Sequence, residues 1–378
     1  MKIRIRPVVV CFSIFMALSM VQTDLMNLGT ITAGLASFLI LVAASFGRQI
    51  SSKNYNSNAK LLLSFFVLTN IVSFLWFDWP LYYLKYAAQI IVCIVLACIY
   101  PINNKEYVFL EKVFNISTFV YAILVIYSCW TSTVTRSIHG DVILFGTAFD
   151  PNFIGLLFVA GSTLSFYNIL TGYKKYMHIV ALFAYLIAIF YTASRGSFLS
   201  LGISMTFALF FYSIEVKSSL IKKMLSILIV VGVIYFIYNS LSVSFEEQIE
   251  RMVSLNEDNS DNGRLELWEK AWETWKSYPF FGVGLGGMYR LTDRATHNTY
   301  LELLSETGLV GLCIFGAFLI KLSKKIYSIE KKYLCMLICM LFQISFLDAF
   351  DNRCVWVILC WMVLISNIKN NYCTRCSN

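Results

Sequence analysis

Long apolar segments alternate with short polar segments along almost the whole chain. Most of the apolar segments reach about 20 residues, the length that an α-helix needs to cross the hydrocarbon core of a bilayer. The pattern predicts twelve spans, at about 8–23, 28–46, 61–77, 81–100, 112–130, 152–170, 177–193, 197–213, 223–241, 298–320, 334–349 and 354–368. The expected fold is therefore all-α, a polytopic integral membrane protein in which residues 1–378 form a single membrane domain.

Composition supports the membrane interpretation. Hydrophobic residues make up 58% of the chain and charged residues only 14%, whereas a soluble domain carries about 25% charged residues. A transmembrane β-barrel would instead show alternating segments of about 10 residues. The net charge of +8 lies mostly in loops, so no nucleic-acid partner is expected. Cys373 and Cys376 form a C-x-x-C in the tail, but a zinc site needs two further ligands, so no metal site is predicted.

The distribution of Lys and Arg over the loops predicts the orientation of the spans, because cytoplasmic loops carry an excess of both residues. With the N-terminus inside, most of these cations fall in the inner loops. Both termini are therefore predicted to be cytoplasmic. The start M-K-I-R-I-R-P resembles the first part of a signal peptide, but no small-residue cleavage site follows it. We expect an uncleaved first helix.

One outer loop, 242–297 between spans nine and ten, is large enough to form structure of its own. Part of it has apolar residues at three- and four-residue spacing, which places them on one face of an amphipathic helix. These residues are Leu265, Trp268, Trp272 and Trp275. Asp261 or Asn262 is expected to cap the helix and Pro279 to end it. Such a helix fits either the plane of the membrane interface or the tops of the other spans.

A glycine-rich stretch, P-F-F-G-V-G-L-G-G-M, follows the predicted helix, and the pair His297-Asn298 then opens span ten. No strand precedes the glycines, so they do not form a dinucleotide fingerprint. We expect a turn, or a nest of backbone N–H groups for an anion, that includes Gly284 and Gly286. Glu306 is expected either to end a buried first segment of span ten or to approach His297.

Polar groups from four segments are predicted to lie on the outer face. Arg195 is in the tight turn T-A-S-R-G-S between spans seven and eight, and Arg264 is in the first turn of the amphipathic helix. Asp150 and Asn152 lie at the start of span six, and His297 lies at the start of span ten. The arginine fork matches phosphate oxygens, and helix starts attract anions. Each residue alone has an ordinary explanation as a surface cation or a helix cap. As a set, they predict an outward-facing site for a phosphate-bearing, lipid-associated ligand.

The motifs together resemble the O-antigen ligase and O-antigen polymerase superfamily of bacterial surface-polysaccharide assembly. The resemblance rests on P-F-x-G-x-G-x-G followed by H-N-x-x-L-x-x-L-x-E-x-G-x-x-G-L, with S-R-G, G-R-x-x-x-W and D-P-N upstream. The part of the chain that carries these motifs is about 145–315. The first 130 or so residues match only in hydropathy.

The resemblance implies a membrane glycosyltransferase that takes a glycan from undecaprenyl pyrophosphate at the periplasmic or outer face of the bacterial cytoplasmic membrane. It implies no cofactor, because neither a metal nor a nucleotide sugar is needed. Arg195 and Arg264 correspond to the family's pyrophosphate-binding arginines, and His297 corresponds to its essential histidine, either as a base or as a positioning group. The candidate supporting residues are Asp150, Asn152, Asn298, Glu306, Gly284 and Gly286.

Three functions are consistent with these motifs. The first is a polymerase of lipid-linked oligosaccharide repeat units of O-antigen or capsule, with membrane lipids and a chain-length regulator as expected partners. The alternative is a ligase that moves the glycan to lipid A-core or another acceptor, since the donor chemistry is shared. The third is a flippase or exporter of the lipid-linked glycan, which would need a polar cavity across the membrane.

Overall fold

The computed structural model describes residues 5–20, 57–76, 91, 94, 102–131, 142–144, 147–192, 194–216, 259–349 and 353–368. The helices in this part of the chain are α1 (Pro7–Met20), α2 (Ser57–Trp76), α3 (Asn104–Thr131), α4 (Pro151–Leu170), α5 (Lys175–Thr192), α6 (Arg195–Glu215), α7 (Asn259–Ser277), α8 (Gly287–Thr292), α9 (Thr299–Tyr327), α10 (Lys331–Gln343) and α11 (Arg353–Ser366). The prediction of a helical membrane protein is confirmed in these regions.

Five helices are long and apolar enough to cross a membrane by length and composition, among the residues described. They are α3, α4, α5, α6 and α9, and each matches a predicted span. The predicted spans 28–46 and 223–241, and almost all of 81–100, lie outside the described residues, as does the tail with Cys373 and Cys376. The count of twelve spans and the orientation of the termini therefore stay predictions.

Two features of the fold differ from the sequence expectation. The segment before α4, which the sequence predicts to be an outer loop, contains a short antiparallel hairpin of β1 (Val142–Leu144) and β2 (Thr147–Phe149). The predicted span 334–349 is wrong at its C-terminal end. Helix α10 stops at Gln343, a single 3-10 turn covers Ile344–Phe346, and Leu347 is extended. An apolar run alone therefore overstates the length of this helix.

The chain divides into two compact units. The first contains residues 1–114, 266–329 and 348–378, and the second contains 115–265 and 330–347. In the second unit, α4 packs against α5, α6 and α10. Most of α4 is buried on all sides, as its lack of a polar face predicts. Helix α4 is thus the centre of the second unit.

In the first unit, α9 packs against α2 and α11, and α11 also contacts α1. Aromatic rings fill the space between these helices. The ring centroids of Phe65 and Phe315 lie 5.0 Å apart, and Phe66 meets Trp356 edge-on at 5.2 Å. Such pairs add about 0.5–1.5 kcal/mol each beyond the area that they bury.

A buried ion pair ties the start of α1 to the start of α3 in the same unit. Glu106 is fully buried, and its carboxylate accepts hydrogen bonds from the Arg6 backbone N–H at 3.2 Å and from Arg6 Nε at 2.6 Å. The Asn103 N–H donates to the other carboxylate oxygen at 3.0 Å. The Glu106 carboxylate therefore joins the Arg6 backbone and side chain to the start of α3.

Removal of this carboxylate tests its contribution to the fold. We expect Glu106→Ala to lower the free energy of unfolding by about 3 kcal/mol, because the partly buried Arg6 head group loses its partner. The measurement is the thermal midpoint of the purified protein in detergent. The matched control is Lys270→Ala, which breaks the exposed pair between Lys270 and Glu266 and should leave the midpoint unchanged. Equal midpoints for the two variants would contradict the assignment.

Candidate active site

Helix α9 begins where the sequence predicts it, at a capped histidine-containing turn. The Asn298 side chain accepts hydrogen bonds from the N–H groups of Tyr300 at 3.1 Å and Leu301 at 3.2 Å. The residue before this cap, His297, has a φ of 50°, a left-handed conformation that is uncommon for a residue other than glycine. Its side chain is 36% exposed. The imidazole is therefore accessible while its backbone is held in a strained conformation.

Asp348 holds this turn in place. One carboxylate oxygen accepts a hydrogen bond from Thr296 Oγ1 at 2.8 Å, and the other accepts the His297 backbone N–H at 3.1 Å. The second oxygen also lies 3.3 Å from His297 Nδ1. Asp348 is nearly buried. The neighbouring Ala349 N–H donates to Thr299 Oγ1 at 2.8 Å, so two consecutive residues of the C-terminal segment fix the turn.

Sequence reasoning missed Asp348. It treated the residue as the end of a span, whereas the chain has already left helix α10 at Gln343 and is extended at Leu347. A signal was available, since an acidic side chain within a predicted span indicates a functional or paired group by default. No pattern in the sequence identifies which residue would be its partner.

The glycine-rich stretch is docked into a break in α9. Gly308 has a φ of 64° and interrupts the helix. On one side of the break, the N–H groups of Leu309 and Val310 donate to the carbonyls of Pro279 and Phe280, at 2.9 and 3.1 Å. The glycine stretch therefore takes up hydrogen bonds that the helix would otherwise make with itself.

On the other side of the break, the backbone carbonyls of α9 also find partners in the glycine stretch. The carbonyls of Ser305 and Glu306 accept from the N–H groups of Val283 at 3.0 Å and Gly284 at 2.8 Å. A Cβ added to Gly282 would lie 2.3 Å from the backbone carbon of Glu306. Only glycine permits this approach. The φ of Gly282 is 66°, which is also in the left-handed region.

The side chain of Glu306 completes the contact. It is buried, and its carboxylate oxygens accept the N–H groups of Gly286 at 2.9 Å and Met288 at 3.0 Å. These amides form the anion nest that the sequence suggests, but the anion that they hold is a side chain of the same chain. Of the two expectations for Glu306, the structure places its carboxylate in the glycine loop, whereas Asp348 lies beside His297.

In the second unit, the residues predicted around Arg195 form one hydrogen-bonded group. Asp150 caps α4 by accepting the Asn152 N–H at 2.7 Å. The Asn152 side chain accepts from Ser194 Oγ at 2.6 Å, and Ser194 caps α6, whose first residue is Arg195. The sequence had placed these residues at two separate helix starts, and the structure joins them.

Gln343 joins the same group from α10. Its side-chain nitrogen donates to Ser197 Oγ at 3.0 Å and to the Asn152 carbonyl at 3.3 Å. Ser197 Oγ in turn donates to Ser194 Oγ at 2.8 Å. The start of α6 is thus fixed by side chains from two other helices, which sets the backbone position from which Arg195 extends.

Helix α7 starts earlier than the caps suggest, at Asn259, so Arg264 lies in its second turn rather than its first. The helix ends at Ser277, before Pro279, as predicted. The buried face differs from the predicted stripe. Leu267 and Ala271 are buried, whereas Leu265 is 61% and Trp272 is 43% exposed.

Trp268 shows why the face is rotated. Its ring nitrogen donates to the Thr296 carbonyl at 3.0 Å, so this side of α7 packs beside the His297 turn. A tryptophan with a polar partner on the protein takes the inner position. Trp272 lies one helical turn further along the same face and is 43% exposed. Helix α7 therefore both packs on the protein, through Trp268, and exposes an aromatic side chain, Trp272.

The structure groups His297, Asn298, Glu306, Gly284 and Gly286 in the first unit. Asp150, Asn152, Arg195 and Arg264 belong to the second. Within the described residues, no group of three or more His, Cys, Asp or Glu side chains could hold a metal ion.

Comparison with known proteins supports the motif resemblance. Residues 180–316 match a family model described as O-antigen ligase. The match covers less than half of the chain, and it includes Arg195, Arg264, the glycine stretch and the His297 turn. No curated protein matches the chain significantly. The match supports the predicted resemblance to the O-antigen ligase and polymerase superfamily. Together with the apolar helices, it supports an integral membrane protein with a glycosyltransferase-type activity on lipid-linked glycan.

Substitution at the break tests whether the docked glycine stretch holds α9 in this form. A Cβ on Gly308 would lie 2.3 Å from the backbone carbon of Phe280. The positive φ would also cost an alanine about 1–2 kcal/mol of conformational energy. We expect Gly308→Ala to lower both the thermal midpoint and the amount of folded protein in membranes. Gly316→Ala is the matched control on the same helix, because a Cβ there meets nothing within 4 Å. If both variants behave like the wild type, the docking is not important for stability.

Proposed function

We propose that this protein acts as a member of the O-antigen ligase and polymerase superfamily, that it transfers a glycan from undecaprenyl pyrophosphate to a hydroxyl group of an acceptor, and that the acceptor is a second lipid-linked repeat unit. The observation that carries the proposal is the accessible His297 held against the nearly buried carboxylate of Asp348. His297 lies within residues 180–316, the segment that matches the family model. The proposed place of reaction is the outer face of the cytoplasmic membrane.

His297 is proposed as the general base. An imidazole whose Nδ1–H faces a carboxylate presents the lone pair of Nε2 to a proton donor. The 3.3 Å separation between Nδ1 and Asp348 Oδ2 supports this tautomer. Asp348 is then a positioning residue, because it acts on the acceptor only through His297.

Arg195 and Arg264 are proposed to bind the pyrophosphate of the donor. Both side chains are partly exposed, and the hydrogen bonds of Ser194 and Asn152 support a fixed position for the backbone of Arg195. Negative charge grows on the pyrophosphate as the glycosidic bond breaks, and fixed cations stabilise that charge in the transition state.

The proposed step balances without a cofactor. The acceptor hydroxyl gives its proton to His297 Nε2, and its oxygen forms a bond to the anomeric carbon of the donor sugar. The bond between that carbon and the pyrophosphate oxygen breaks, and undecaprenyl pyrophosphate leaves with the electron pair. His297 then releases its proton to water. Attack opposite the leaving group would invert the anomeric centre.

Complementation tests the proposed chemistry. A deletion strain is supplied with the wild type, His297→Asn, Arg195→Ala or Arg264→Ala, and surface glycan is resolved on a gel after equal membrane expression is verified. Asparagine tolerates the left-handed conformation at position 297 but cannot act as a base. We expect His297→Asn to lose the glycan ladder, since general base catalysis contributes about 10²–10⁴-fold. We expect Arg195→Ala and Arg264→Ala to lose it as well, because each removes a cation that stabilises the departing pyrophosphate.

The same gel separates the candidate functions. Single repeat units on the surface of the deletion strain support a polymerase, and the absence of all repeat units supports a ligase with the same residues. Wild-type ladders from all three variants would contradict the proposed site and favour the exporter.

A second prediction concerns Asp348. We expect Asp348→Asn to lower kcat by at least about tenfold while the KM for the lipid-linked donor stays unchanged, because the amide cannot orient the imidazole as a carboxylate does. The assay uses purified protein in nanodiscs with a defined donor. Asp293→Asn is the matched control, since Asp293 is an exposed carboxylate in the preceding turn. Equal kcat values for the two variants would show that Asp348 has no role in catalysis.

A further inference from the structure

Phe280 and Phe281 are exposed at an unusual place in the first unit. Their side chains are 64% and 50% exposed. The backbone around them is bonded to α9, because Phe280 accepts the N–H of Val310 and its neighbour Pro279 accepts the N–H of Leu309. The turn that carries the two rings is therefore attached to the interior of a candidate membrane span, at Leu309 and Val310, and not to its end.

The position along α9 gives the depth of this turn. Helix α9 has 29 residues, and the hydrocarbon core needs only about 20 of them. Lysines at 321, 324 and 325 mark the far end of the apolar part. Counting back about 20 residues from Lys321 places the near boundary of the hydrocarbon close to Leu301. Gly308 is then about 10 Å inside that boundary along the helix.

The backbone of the turn is suited to a membrane environment. Non-helical backbone at membrane depth is tolerated only when its polar groups are satisfied within the protein. The N–H groups of Gly282, Val283, Gly284, Gly286, Gly287 and Met288 all have protein acceptors. The carbonyls of Pro279 and Phe280 also accept hydrogen bonds. Backbone groups on both sides of the two phenylalanines are therefore satisfied within the protein.

The residues before the turn match a membrane interface. Trp272 and Trp275 have ring centroids 4.6 Å apart, and Tyr278 is 45% exposed. Tryptophan and tyrosine concentrate at the level of the lipid head groups. Glu273 and Lys276 are exposed on the same part of α7, so the helix carries both polar and aromatic exposed positions immediately before the two phenylalanines.

We propose that the turn 279–282 inserts into the leaflet nearest the start of α9, and that Phe280 and Phe281 contact the acyl chains of membrane phospholipid. The glycine stretch is then a re-entrant segment within the hydrocarbon layer, although the sequence places it in a water-exposed outer loop. Helix α7 lies at the head groups and leads the chain into the layer. The inference does not depend on the proposed glycosyl transfer.

Photocrosslinking in native membranes tests the insertion. Benzoylphenylalanine replaces Phe280 or Phe281, a substitution that enlarges a ring already exposed. Glu273, exposed on α7, is the negative control, and Ile320, exposed near the other end of α9, is the positive control for lipid adducts. After irradiation, the purified full-length protein is digested and the adducts are identified by mass spectrometry.

We expect phospholipid acyl adducts at 280 and 281 at a yield similar to that at 320 and several-fold above that at 273. Yields at 280 and 281 no greater than at 273 would overturn the proposal. Crosslinks to a second copy of the chain, or adducts consisting of polyprenyl chains alone, would also overturn it, because the rings would then face a different partner.

Discussion

The backbone hydrogen bonds at Gly308 constrain the rest of the first unit. A helix that breaks inside an apolar environment leaves amide and carbonyl groups without partners, which costs several kilocalories per mole unless other groups replace them. Here the stretch 279–284 supplies donors and acceptors on both sides of the break. Gly282 and Gly308 are required because the two backbones meet closely at these positions, and no ligand is needed to explain them.

Two buried carboxylates use the same physical principle at different places. Glu306 accepts backbone N–H groups of the glycine stretch, and Asp348 accepts the backbone N–H of His297. In each case a negative charge is stabilised by amides that would otherwise lack partners. Only Asp348 has an accessible imidazole beside it. Glu306 therefore stabilises the glycine loop, and Asp348 positions an imidazole that can carry a proton.

Local signals were predictable from the sequence, and distant partners were not. The cap at Asn298, the cap at Asp150 and the end of α7 before Pro279 each depend on residues within one helical turn. The pairing of Asp348 with His297 joins residues 51 positions apart, and no periodic pattern encodes it. The tryptophan spacing identified residues that share a face of α7, but burial depended on Thr296, which lies in another segment.

The order of synthesis gives Asp348 a further consequence. The ribosome releases the chain from its N-terminus, so the His297 turn leaves the ribosome before the carboxylate that holds it has been made. Until residues 348 and 349 are in place, Thr296, His297 and Thr299 lack the partners that they have in the folded protein. The left-handed backbone at His297 is thus acquired late, and a chain that stops before Asp348 would insert into the membrane without an ordered histidine turn.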